Sequence, residues 1–177
     1  MKLTSIFRPA VVTIVLPLIV FNTFAADNVT INVTGKVIAS PCTTVNGSSA
    51  TLSVNLGDTI QANSLAEAGS GTELKAFDLP LTGCPASTTN VKATFTGTAD
   101  TEASLWKNTA ASPAVNTAVE LTEQDAPTVP LGNNATLTEP VTAGNVTFKL
   151  AARALSKLGS VTPGDIASTI VVSFEYQ

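Results

Sequence analysis

From Val29 to Val37 the chain reads Val29-Thr30-Ile31-Asn32-Val33-Thr34-Gly35-Lys36-Val37, apolar and polar by turns, with glycine in one apolar slot. Side chains of an extended chain point to opposite faces with period two, so this pattern specifies a strand with one buried face. The habit recurs along the chain. Strands are expected at Thr51 to Leu56, Glu73 to Leu81, Val91 to Thr96, Val115 to Thr122, Val146 to Leu155 and Ile166 to Tyr176. Turn signals separate them: Asn46 to Ser49, Gly57-Asp58, Gly83-Cys84-Pro85, Gly97, a polar stretch from Glu123 to Asn134 holding Pro127, Pro130 and Gly132, and Gly159 to Gly164. One short helix is expected over Ile60 to Ala68, ended by Gly69 and Gly71. Short strands at this spacing predict an all-β sandwich or barrel.

The first residues carry two positive charges, Lys2 and Arg8, then an apolar run from Ala10 to Phe21 and a small residue at Ala25. That is the layout of a secretory signal peptide over 1–25, cleaved before Ala26. The run is shorter than the roughly 20 residues a membrane-spanning helix needs, so no membrane insertion of the mature chain is expected. The two cysteines, Cys42 and Cys84, both follow that signal. An even count in an oxidising compartment predicts one disulfide. On the chain-entropy account such a bridge contributes about 4 kcal/mol to stability.

Only 12% of residues are charged and the net charge is −4, which excludes a nucleic-acid partner. With no histidine and no CxxC pair, no metal site or cofactor is expected, and a catalytic site has little to be built from. Glu120, Glu123 and Asp125 cluster near a strand end and read as a solvated turn rather than a cation site or an acid–base pair. Trp106 reads as packing, with sugar stacking as the rival. The Asn-X-Ser/Thr triplets at Asn28, Asn32, Asn46, Asn134 and Asn145 are given no role.

The two ends say more. In Ile170-Val171-Val172-Ser173-Phe174-Glu175-Tyr176-Gln177, the residues Ile170, Val172, Phe174 and Tyr176 share one apolar face, and no later strand follows to pair with it. An open edge beside an apolar face invites another chain. The alternating segment Val29 to Val37 either forms the first strand of its own sheet or supplies the cover for another molecule's edge.

On these residues the sequence resembles the chaperone–usher (type 1 fimbrial) pilins, and among them the minor or adaptor fimbrial subunits. The matching features are the alternating extension with Gly35 and Lys36, Cys42 followed about 40 residues later by Cys84, the penultimate aromatic Tyr176, and Gly164, fourteenth from the end. The resemblance implies an incomplete immunoglobulin-like β-sandwich lacking its last strand. It divides the chain into an N-terminal extension over 26–37 and a pilin domain over 38–177. Val29, Ile31, Val33, Gly35 and Val37 would be the donor strand that enters a neighbouring subunit. Gly164, Ile170, Val172, Phe174, Tyr176 and Gln177 would form the acceptor groove, with the Gln177 carboxylate held by a periplasmic chaperone. The implied partners are neighbouring pilus subunits, that chaperone and the outer-membrane usher. The implied route runs through the periplasm to the fimbrium on the cell surface, where the subunit contributes to adhesion.

Overall fold

The computed structural model describes residues 29–177, in two units that divide at Gly35; the expected signal peptide lies outside the described residues. Residues 29–42 form no strand, and Val29, Ile31, Val33 and Val37 are exposed.

Within residues 36–177 the chain forms eight strands. They are β1 (Thr44–Val45), β2 (Lys75–Thr82), β3 (Asn90–Gly97), β4 (Trp106–Lys107), β5 (Thr117–Glu123), β6 (Thr136–Pro140), β7 (Asn145–Ser156) and β8 (Ile170–Tyr176). Five make one sheet in the order β1-β2-β7-β5-β4, and three make the other in the order β6-β3-β8. Every strand pair is antiparallel.

Alternation explains how the sheets meet. In β7 the residues Val146, Phe148, Leu150 and Ala152 fall on one face, and all are buried. The register sets Phe148 opposite Leu79 of β2 and Ala152 opposite Leu121 of β5, so three strands present one apolar surface. In the second sheet Val91, Ala93 and Phe95 of β3 are fully buried, and Phe95 pairs with Val172 of β8. Phe148 and Phe174 bridge the sheets with ring centroids 5.9 Å apart, a separation at which tilted aromatic pairs attract. Cys42 and Cys84 are joined by a disulfide, next to the Thr43 amide that donates to the Gly83 carbonyl.

Several sequence expectations change. Thr51 to Leu56 forms no strand, although Leu52, Val54 and Leu56 alternate as a strand requires. The expected helix over Ile60 to Ala68 shrinks to a 3-10 turn at Ala62–Leu65, in which only Leu65 is buried, leaving no face long enough to anchor an α-helix. The last strand starts at Ile170 rather than Ile166, and β6 lies just beyond the stretch read as turn. Glu120 is not in a solvated turn. It sits in β5, 7% exposed, and pairs with the Arg153 guanidinium on β7, which compensates its burial.

A cleft between the sheets

β8 is bonded to β3 along one side and stands at the edge of its sheet, with no strand on its other side among the described residues. Its inward residues Ile170, Val172, Phe174 and Tyr176 are only half buried, whereas the inward residues of β3 are fully covered. Beside that edge the two sheets part around a cleft of about 1210 Å³.

Each wall comes from a different part of the chain. Phe77, Leu79, Val119, Leu121 and Leu150 of the five-stranded sheet make the floor. Phe95, Ile170, Val172 and Phe174 make the side formed by the second sheet. Leu52, Val54 and Leu56 lie along the lip opposite, on the segment that forms no strand. The cleft is therefore apolar within and bordered by backbone groups outside any ladder. Buried backbone groups need hydrogen-bond partners, so the border suits an extended chain.

One end of the cleft is built with particular care. Gly164 lies where a Cβ would come within 2.5 Å of the Ala114 amide nitrogen, so only glycine lets the two segments touch. Asn108, almost buried, holds the same segments together. Its Nδ2 donates to the Asp165 carbonyl at 2.8 Å and to the Thr117 hydroxyl at 2.9 Å. Its Oδ1 accepts from the Ala167 and Ala110 amides at 3.1 and 3.2 Å. Nearby, Lys157 and Asp100 form a mostly buried ion pair that joins the turn after β7 to the turn after β3. Burial alone raises the Asp100 pKa, but hydrogen bonds from Lys157, Thr101 and the Glu102 amide outweigh it and hold the carboxyl below its ordinary range.

Of the expected groove residues, Gly164, Ile170, Val172 and Phe174 line this cleft. Tyr176 packs against the core beyond its end, where burial pushes its phenol up. Gln177 is tied back to β3: its amide donates to the Asn90 carbonyl at 2.9 Å, and one oxygen of its carboxylate accepts from the Thr89 amide at 2.7 Å. Asn108, Ala114 and the lip residues Leu52, Val54 and Leu56 escaped the sequence reading. The lip had a signal, its alternation, which was read as an ordinary strand. Asn108 had none. Trp106 is fully buried and donates from Nε1 to the Leu131 carbonyl at 2.8 Å, which removes the sugar-stacking rival.

A two-sheet immunoglobulin-like sandwich with an apolar cleft where one more strand would close it has the architecture of a pilin-type subunit. The chain belongs to the fimbrial protein family: the model described as "Fimbrial protein" matches residues 31–177. It is similar to the S-fimbrial adhesin protein SfaS of Escherichia coli O6:K15:H31, with 39% identity over 89% of this chain and 90% of that protein. It is similar also to the protein FimG of Escherichia coli K12, with 36% identity over 87% of this chain and 88% of FimG. Among solved structures, the P pilus rod subunit PapA shares the fold, with a TM-score of 0.64 at 16% identity, covering 78% of this chain and all of that one. The chain is thus a structural subunit of a surface fimbrium, in a family of fimbrial proteins rather than enzymes. Among the described residues no helix is long and apolar enough to cross a membrane.

Proposed function

We propose that this subunit polymerises by donor-strand exchange: it receives a neighbour's extended segment in the cleft beside β8 and gives its own residues Val29 to Val37 to another subunit. The observation that carries the reading is the cleft itself, apolar on both walls and bordered by the unpaired side of β8. Val29, Ile31, Val33 and Val37 are more than four-fifths exposed and alternate with polar residues, as a strand seeking a cleft requires. Gly35 gives that strand one place where its backbone approaches closely.

On this reading the functional division falls between an extension over 26–37 and a pilin domain over 38–177. An empty cleft would aggregate, so a periplasmic chaperone caps it before delivery to an outer-membrane usher. The Gln177 carboxylate, at the end of β8, is the contact proposed for the chaperone. The protein has no catalytic activity, and its contribution to adhesion is as part of the fibre. A strand zipped along the whole cleft leaves slowly, so the fibre relies on a slow dissociation rate more than on equilibrium stability.

The test is to fuse a copy of a donor strand after Gln177 and to measure thermal unfolding of the exported protein against the unfused chain. A large rise in midpoint with a monomeric product is expected. An unfused chain that is already a stable, cooperative monomer would refute an open sandwich. In parallel, deletion of Val29 to Val37 should leave chaperone binding intact and abolish addition onto the preceding subunit.

A further inference from the structure

Asn46-Gly47 is the one Asn-Gly pair in the chain, and Asn46 lines the cleft at the start of its lip. Both residues have positive φ, 48° and 59°, in a tight turn that Asn-Gly suits. Gly47 is exposed, and no residue beyond its chain neighbours lies within 4 Å of where its Cβ would stand, so the turn is open to solvent on that side. The Asn46 amide also holds the lip. Its Nδ2 donates to the Thr51 carbonyl at 3.0 Å and to the Ser49 carbonyl at 3.3 Å, fixing where the irregular segment through Leu56 begins.

We propose that Asn46 is a site of spontaneous deamidation, and that this modification loosens the lip of the cleft. The Gly47 nitrogen attacks Asn46 Cγ, a C–N bond forms, and the Cγ–Nδ2 bond breaks. The Gly47 amide proton leaves with Nδ2 as ammonia. Water then opens the five-membered imide, at Cγ to give aspartate or at the main-chain carbonyl to give isoaspartate. No other reactant is needed. The product carboxylate has no proton to donate, so the Ser49 carbonyl loses the Asn46 donor, the Thr51 carbonyl keeps only the Ser49 hydroxyl at 2.8 Å, and both face a negative charge instead. The turn flanks a segment outside any ladder, so the local opening that the attack requires disturbs little structure. The consequence for strand binding rests on the proposed strand-acceptor reading; the chemistry does not.

The experiment incubates the exported full-length mature chain at mildly alkaline pH and follows the peptide containing Asn46 by mass spectrometry, with the same chain in denaturant as reference. Conversion at Asn46 ahead of the other asparagines is expected, and none at this position in Asn46→Gln. A folded chain that keeps Asn46 intact while the denatured reference converts would overturn the proposal. The second readout is dissociation of a labelled synthetic peptide with the sequence of residues 26–38. Aged protein and Asn46→Asp should release it at least about fivefold faster than fresh protein, since each of the two hydrogen bonds lost from Asn46 is worth about that factor. Equal release from Asn46→Asp and the parent would overturn the role at the lip. A peptide that does not bind even fresh protein would sink the strand-acceptor reading, while mass spectrometry would still decide the chemistry.

Discussion

β7 and β8 are written in the same alternating code and reach different ends. β7 lies between β2 and β5, and its inward residues Phe148 and Leu150 are 0% and 2% exposed. β8 has β3 on one side only, and its inward residues stay half buried all along its length. Apolar alternation tells a strand which way to face. It does not tell it whether a neighbour will arrive, and the half-buried face of β8 marks where one is missing.

The comparison can be tested by truncating a ring on each strand. Phe148→Ala should cost about 3–5 kcal/mol in urea unfolding, as for any fully buried aromatic. Phe174→Ala should cost distinctly less in the empty subunit and approach the Phe148 value once a strand is fused after Gln177. Equal costs without the fusion would show that β8 is already fully packed.

Gly164→Ala comes next. The new methyl would press on the Ala114 backbone, an overpacking that costs about 1–3 kcal/mol. Its damage should fall on the β8 side, so a labelled donor peptide should lose affinity by more than unfolding alone accounts for.

Thr122→Val should act in the opposite direction and only in the five-stranded sheet. Thr122 Oγ1 is fully buried with no hydrogen-bond partner, so an isosteric methyl should stabilise by about 1 kcal/mol. Peptide binding in the cleft should not change.

The last effect is read at acid pH and concerns the Asp100–Lys157 pair that joins the sheets at one end. Because the folded pKa of Asp100 is depressed, its contribution is present above the ordinary carboxylate pKa and is lost as pH falls through that value towards the folded one. Asp100→Asn should therefore flatten the acid limb of a pH–stability curve. An unchanged limb would mean the pair does not couple the sheets.

Much of this was legible beforehand. β2, β3, β5, β7 and β8 follow from alternation, and the disulfide from two cysteines in an exported chain. β6 was hidden because Thr136–Pro140 is polar and ends in proline, which an edge strand tolerates. Leu52, Val54 and Leu56 carry the pattern of a strand, but they join no ladder among the described residues. Glu120 looked like a surface charge because its partner, Arg153, is 33 residues away and only the β5–β7 register brings the two together.

The disulfide has a mechanical meaning. If the subunits exchange strands as proposed, a pull on the extension enters the domain just before Cys42 and leaves through the strand in the cleft beside β8. The bond to Cys84 passes that force directly to the turn leading into β3, the neighbour of β8. The intervening chain from Thr43 to Gly83, with its two-residue β1 and its irregular lip, is bridged at its two ends by that bond and need not pass the pull along its own backbone.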